Sequence, residues 1–79
     1  MSILFERLQA TMATTLRIPA ARLTPTTTNE DLPAWDSLGH VNLMMALEQT
    51  FDLYIEVEDF EGLHSVPAIL DYLNRHGQH

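Results

Sequence analysis

Three adjacent residues, Asp36, Ser37 and Leu38, stand where a polar loop gives way to an apolar-rich segment, and His40 follows shortly after. A serine in the first turn of a helix keeps its hydroxyl exposed, so Ser37 could accept a covalent group. A phosphate on that hydroxyl would meet free backbone N–H groups and the positive end of the helix dipole. Asp36 would then be a handle for a basic modifying enzyme, and Leu38 would anchor the turn to the core.

Two other interpretations of these residues stay open from the local sequence. Aspartate and serine are common N-caps, so Asp36 or Ser37 could serve only to start the helix, with a stabilisation of about 1 kcal/mol. Asp36, Ser37 and His40 could also form a small hydrolase triad, because residues three or four apart on a helix can meet. A triad also needs an oxyanion hole in a cleft. The glycines that flank the serine in a nucleophile elbow are missing around Ser37.

The spacing of apolar residues predicts three main helices and one short one. The first starts at Ser2, which can cap it, and ends close to Ile18 because Pro19 follows. Its buried face repeats every four residues: Leu4, Leu8, Met12 and Leu16. The second helix is expected to run from Ser37 to Phe51.

The second helix is expected to bury one face and expose the other. The predicted buried face is Val41, Met44, Leu47 and Phe51, broadened by Leu38, Leu43 and Met45. The predicted outward face is His40, Asn42, Gln49 and Thr50. A short helical turn is expected within residues 58–63, and a last helix from Ser65, with Pro67 in its first turn, to Gly77. Its core residues are Ile69, Leu70 and Leu73.

A long connection, residues 19–36, holds three prolines and four threonines. Leu23, Leu32 and Trp35 are expected to pin it to the helices. For Trp35 the alternative is an amphipathic surface offered to a partner. The whole predicts an all-α fold, a small four-helix bundle with a long loop between its first and second helices, and one domain over residues 1–79.

Charge and composition exclude several classes of function. The net charge is -7 with only 4 Lys and Arg, which argues against nucleic acid and anionic membranes as partners. It suits docking onto enzymes with basic surfaces. There is no cysteine, hence no disulfide and no thiolate metal site, and the 4 histidines are too scattered for a metal site. No apolar run is long enough to span a bilayer and the start is not a signal peptide, so a cytoplasmic protein is expected.

The motif "DSL" at residues 36–38 opens a helix reading "VNLMMALEQTF", and "LHSVPAILDYL" follows an acidic segment. In this combination the chain resembles the acyl carrier protein family over nearly its whole length. The resemblance implies that Ser37 carries 4'-phosphopantetheine, transferred from coenzyme A by a Mg²⁺-dependent phosphopantetheinyl transferase that recognises Asp36. The thiol of the arm would hold acyl or aminoacyl groups as thioesters. A loading ligase and downstream acyl-transfer enzymes would be the further partners, and the chain itself would not be an enzyme.

The resemblance also implies where partners and cargo bind. Candidate partner-binding residues are Trp35, His40, Val41, Met45, Glu48, Glu56, Glu58 and Asp59. Candidates for a crevice that shelters a bound chain are Val41, Met44, Met45, Leu63 and Leu73. Protonation of His40 as the pH falls is a hypothesis for tuning the docking. A monomer is expected, because no large apolar stripe is left over once the bundle is built.

The sequence departs from the family's fatty-acid members beside the motif. Gly39 and Asn42 stand where acids are often found, and Glu48 is the only acid left in that helix. The stretch "LPAWDSLGH" is more similar to freestanding carriers of dedicated clusters, including those related to peptide synthetases. A specialised acyl or aminoacyl pathway is therefore expected. The alternatives are an ordinary fatty-acid carrier and an unmodified helical adaptor that binds enzymes through its acidic surface.

Overall fold

The computed structural model describes residues 3–78. Its helices within that range are α1 (Ile3–Leu16), α2 (Ser37–Phe51), the short α3 (Val57–Phe60) and α4 (Val66–Arg75). Two single 3₁₀ turns, Ala20–Arg22 and Asn29–Asp31, lie in the connection between α1 and α2. The described residues contain no strand, only an isolated bridge between Thr28 and Ser65. The predicted all-α bundle with three main helices and a long first connection is confirmed.

The helices α1 and α2 pack side by side in opposite directions. At one end Leu16 of α1 lies beside Gly39 in the first turn of α2. At the other end the Arg7 guanidinium donates a hydrogen bond to the Thr50 carbonyl (3.4 Å) and lies 4.6 Å from the centre of the Phe51 ring. The start of α2 is therefore at the opposite end of the bundle from the start of α1.

One hydrophobic core joins the helices to the long connection. The predicted face of α1 is buried as expected: Leu4, Leu8, Met12 and Leu16. The buried residues of α4 are Val66, Ile69, Tyr72 and Leu73, and Leu70 packs against them half-buried. Leu23, Leu32 and Trp35 are buried, so the predicted anchors of the connection are confirmed. The segment that leads to Ser37 is thus held down by the core.

The end of α1 differs from the prediction by two residues. The helix ends at Leu16 because Arg17 adopts a left-handed conformation (φ 58°). The N–H of Ile18 then donates to the carbonyl of Ala13 (3.1 Å), the hydrogen bond of a Schellman motif. This turn, rather than Pro19, ends the helix. The predicted cap at Ser2 lies outside the described residues.

The start of α4 follows the predicted pattern. The Ser65 hydroxyl accepts a hydrogen bond from the N–H of Ala68 (3.2 Å), and Pro67 lies in the first turn, where its missing N–H has no helical partner to lose. The N–H of Val66 donates to the Thr27 carbonyl (2.8 Å), which ties this helix start to the long connection. The side-chain amide of Gln9 holds the same connection from α1.

Candidate functional site

Ser37 is the first residue of α2, and Asp36, not Ser37, caps the helix. Asp36 has extended backbone angles, and its carboxylate accepts a hydrogen bond from the N–H of Gly39 (2.8 Å). The Ser37 side chain is exposed, and its hydroxyl forms no hydrogen bond to any residue within 3–78. The interpretation of Ser37 as a cap is therefore wrong. The Ser37 hydroxyl is left free, because the Asp36 carboxylate accepts the capping hydrogen bond from Gly39 in its place.

The start of α2 suits a phosphate on Ser37. The N–H of Gly39 is bonded to the Asp36 carboxylate and that of His40 to the Asp36 carbonyl (2.8 Å). This leaves the N–H groups of Ser37 and Leu38 without an acceptor inside the helix, at the positive end of the dipole of a 15-residue helix. An anion attached to the Ser37 hydroxyl would find both groups close by. The residues present thus fit a phosphate-linked group.

His40 is buried, with 4 % of its surface exposed, so the prediction that it faces outward is wrong. The indole N–H of Trp35 donates to His40 Nδ1 (2.9 Å), and His40 Nε2–H donates to the Phe60 carbonyl (2.7 Å). Both ring nitrogens therefore have partners, which makes burial of an imidazole acceptable. The pKa of His40 is lowered below 6.5 chiefly because burial disfavours the charged ring, and nearby His64 adds to this, although the Phe60 hydrogen bond and Glu61 oppose it.

Trp35 belongs to the core and not to the surface. It is buried, its indole donates to His40, and the two rings stack with centres 6.1 Å apart. Of the two interpretations of Trp35, packing of the loop is therefore correct. Trp35 and His40 are both removed from the set of exposed partner-binding residues.

A hydrolase triad does not fit this geometry. A general base must reach the serine hydroxyl with a free ring nitrogen. Both nitrogens of His40 are bonded to Trp35 and Phe60, and the Asp36 carboxylate is bonded to Gly39 rather than to the imidazole. His40 therefore has no free ring nitrogen with which to take a proton from Ser37.

Three apolar side chains of α2 face outward beside Ser37. Leu38 is 71 % exposed, Val41 43 % and Met45 52 %. Their spacing of three and four residues places them on one face of the helix, opposite the buried stripe through Met44 and Leu47. The predictions that Leu38 anchors the turn in the core and that Val41 lies on the buried face are therefore wrong. The reason is that the buried stripe passes through His40 instead.

A cavity of about 280 Å³ lies next to Ser37, between α2 and α3. Val41, Val57 and Phe60 supply its apolar lining. His40, His64 and Glu61 supply its polar lining, and the two imidazole rings stack with centres 3.9 Å apart. Nothing in the local sequence relates His64 to His40, because 24 positions separate them. For this reason the sequence did not indicate that His64 and Phe60 line a cavity next to Ser37.

The predicted crevice residues do not line one common open space. Met44, Leu63 and Leu73 are buried in the closed core, whereas Met45 is exposed on the surface. Val41 alone of this set lines the cavity next to Ser37. Burial in a packed core leaves these side chains without an open space to line.

The predicted partner-binding acids divide into bound and free carboxylates. The half-buried Glu48 accepts a hydrogen bond from the N–H of Ile55 (2.9 Å), and Asp59 accepts one from the Tyr72 hydroxyl (3.2 Å). Glu56 and Glu58 are exposed at α3. Glu48 and Asp59 therefore have structural partners, and Glu56 and Glu58 are the acids left on the surface.

Gly39 lies where α2 and the loop that leads to it are in close contact. A Cβ at this position would lie 2.5 Å from the carbonyl oxygen of Ala34, which is backbone and cannot swing away. We expect Gly39→Ala to lower the free energy of unfolding by about 1–2 kcal/mol, since overpacking outweighs the better helix propensity of alanine. Urea unfolding followed by circular dichroism measures this. Gly62→Ala is the control, because its nearest atom is 3.7 Å away; an equal loss there would contradict the expectation.

Neither a membrane helix nor a metal cluster is found in the part of the chain that the structure describes. Across residues 3–78 no helix combines the length and the apolar character needed to cross a bilayer. Within the same residues, no three histidine or carboxylate side chains are grouped so that they could hold a metal ion.

The structure is a small helical bundle with an exposed serine at the start of α2, an arrangement that suits a carrier of a covalent group. The family model of the phosphopantetheine attachment site matches residues 6–73 of the 79. The chain therefore belongs to this family, the acyl carrier proteins. The family carries 4'-phosphopantetheine as a covalent prosthetic group, and its members are carriers that work with phosphopantetheinyl transferases and acyl-transfer enzymes.

Proposed function

We propose that Ser37 is the residue that carries the 4'-phosphopantetheine arm. One observation supports this above the others: Ser37 is at the start of α2 with a free hydroxyl, because Asp36 caps the helix in its place. The arm supplies a terminal thiol on which acyl or aminoacyl groups are held as thioesters. In the attachment, the Ser37 oxygen bonds to the pantetheine-bearing phosphorus of coenzyme A, the pyrophosphate bond breaks, and the nucleotide phosphate leaves.

The chain's own part in this reaction is to hold and expose the nucleophile. His40 is bonded on both nitrogens and does not take the serine proton. The transferase supplies the base, together with the Mg²⁺ that neutralises the phosphates. The free N–H groups at the start of α2 then stabilise the phosphodiester that remains on Ser37.

Intact mass spectrometry tests the proposal. The purified chain is incubated with coenzyme A, Mg²⁺ and a phosphopantetheinyl transferase of broad specificity. The expected result is a gain of one phosphopantetheinyl group. If the mass does not change, the proposal is wrong and the unmodified adaptor becomes the better interpretation.

We propose further that partner enzymes dock on an apolar patch beside Ser37, formed by Leu38, Val41, Met45 and Val57. Glu56, Glu58 and Glu61 are exposed nearby, immediately before, on and immediately after α3, in a chain with a net charge of -7. A partner surface that fits is apolar at its centre and positively charged at its rim. The only acid of α2, Glu48, is half-buried and bonded to Ile55, so α2 itself offers mainly apolar contacts. This composition favours partners of a specialised pathway over those of bulk fatty-acid synthesis.

Truncating the patch is expected to weaken recognition without unfolding the chain. We expect Met45→Ala and Leu38→Ala each to raise the KM of the transferase about 3- to 10-fold, since a buried apolar contact at an interface is worth about 1 kcal/mol. Steady-state kinetics of the modification measures this. Ile3→Ala is the matched control, because Ile3 is as exposed as Leu38 but lies at the other end of the bundle. The same KM for all three variants would contradict the docking proposal and leave the attachment proposal untouched.

A further inference from the structure

His40 is a buried titratable group that the carrier role does not use. Trp35, His40 and Phe60 form a continuous chain of hydrogen bonds, which we call the imidazole link. At one end it holds Trp35, in the loop two positions before Ser37. At the other end it holds Phe60, the last residue of α3. Since Ser37 and Phe60 line the same cavity, the link joins two walls of the space beside Ser37.

The imidazole link exists only for the neutral ring. His40 must accept at Nδ1 from the Trp35 indole (2.9 Å) and donate from Nε2 to the Phe60 carbonyl (2.7 Å). A proton added at Nδ1 would point at the indole N–H, so that two donors faced each other. An indole N–H has no acceptor capacity, and no rotation of the Trp35 ring restores the bond.

The surroundings of His40 decide how readily it takes a proton. His64, from the segment between α3 and α4, stacks on the ring with centres 3.9 Å apart, and its charge lowers the pKa of His40. Glu61, in the turn after α3, attracts the proton. On its own helix, the Asp36 carboxylate is bonded to Gly39. Trp35 and Phe60 are uncharged.

The second ring of the stack is not fully hydrogen-bonded. His64 Nδ1 is the single buried side-chain nitrogen or oxygen within residues 3–78 that has no hydrogen-bond partner. Its backbone carbonyl accepts from the N–H of Asn29 (2.9 Å), so the residue cannot simply move away. A buried polar atom without a partner costs about 1–3 kcal/mol. His64 is therefore held in the stack by its backbone and its packing and not by a hydrogen bond at Nδ1.

We propose that the imidazole link is a proton-sensitive latch, and that protonation of His40 releases the loop before Ser37 from α3. The cavity beside Ser37 then loses the contact that fixes its width. The latch is a property of the unmodified chain, so it stands or falls separately from the attachment to Ser37.

The direction of the pH dependence follows from the lowered pKa of His40. Its pKa in the folded chain lies below the unfolded value of 6.5, so the unfolded chain takes up the proton first as the pH falls. The contribution of the link to stability is therefore complete above about pH 6.5. It is lost as the pH falls from there through the folded pKa. At neutral pH the latch is closed.

Nuclear magnetic resonance on the unmodified chain tests the latch. Trp35 is the only tryptophan, so its indole N–H gives one unambiguous signal. Between pH 8 and pH 5 we expect this signal to shift along the same titration curve as the His40 ring protons. A signal that stays constant while His40 titrates would overturn the proposal.

Three variants make the test specific. His40→Gln keeps an acceptor for Trp35 and a donor for Phe60 but cannot titrate, so the indole signal should become independent of pH. His64→Gln should raise the pH midpoint of the His40 titration, because His64 lowers the pKa of His40. Glu61→Gln should lower the same midpoint, because Glu61 raises that pKa. If His40→Gln does not fold, the opposite shifts in His64→Gln and Glu61→Gln still test the latch. An unchanged titration in His40→Gln, or equal midpoints in the other two variants, would contradict the latch.

Discussion

Replacing Ser37 by alanine is expected to abolish the gain of a phosphopantetheinyl group completely. Alanine has no oxygen to bond to the phosphorus, and no neighbouring hydroxyl occupies the same place at the start of α2. The fold should be unaffected, because Asp36 caps the helix and the Ser37 hydroxyl has no hydrogen bond within the described residues to lose. Intact mass of the variant, and its circular dichroism spectrum beside that of the wild type, measure both points.

Ser65 provides the matched control for this experiment. It also stands at the start of a helix, but its hydroxyl accepts the hydrogen bond from Ala68 and acts as the N-cap of α4. Ser65→Ala should therefore be modified fully and lose about 1 kcal/mol of stability. Ser37→Ala should show the opposite pattern. Modification of Ser37→Ala, or failure to modify Ser65→Ala in a folded state, would overturn the assignment of the attachment residue.

Removing the Trp35 side chain is expected to cost about 3–5 kcal/mol of unfolding free energy. A chain of 79 residues has a total of about 4–12 kcal/mol, so Trp35→Ala brings the protein close to unfolding. The loss has two sources, since the indole both fills the core and donates to His40. Urea unfolding followed by circular dichroism is the measurement, because the substitution removes the only tryptophan and with it the tryptophan fluorescence.

Trp35→Phe separates the two sources. Phenylalanine keeps most of the apolar volume but leaves His40 Nδ1 buried without a donor, at a cost of about 1–3 kcal/mol. Tyr54→Ala is the control, since Tyr54 is an exposed aromatic residue and should change stability by less than about 0.5 kcal/mol. A Trp35→Ala variant as stable as the control would show that the tryptophan is a surface residue after all.

The helices could be predicted from the sequence because their signals are local. Apolar residues four apart in α1, the cap at Ser65 and proline in the first turn of α4 depend only on neighbours along the chain. The position of Ser37 at the start of α2 follows in the same way, and so does the resemblance to the carrier family. Which of Asp36 and Ser37 forms the cap was not settled by these signals, because both residue types cap helices well.

The rotation of α2 about its axis was not determined by the pattern of apolar residues. Val41 and His40 differ by one position, which is about 100° around the helix, and either can continue a stripe through Met44 and Leu47. Hydrophobicity favours Val41 inside and His40 outside, and the structure has the reverse. A histidine is stable in the core only because Trp35 and Phe60 satisfy both its nitrogens.

The sequence by itself therefore determined the four helices, the core face of α1, part of that of α4, and the serine at the start of α2. Only the tertiary structure decided that Trp35 and His40 point inward, that His64 stacks on His40, and that an apolar patch is left exposed beside Ser37. The physical reason is the range of the interactions. Helix caps and apolar periods act over three or four residues, whereas the hydrogen bonds of His40 span up to 20 and arise only once the chain has folded.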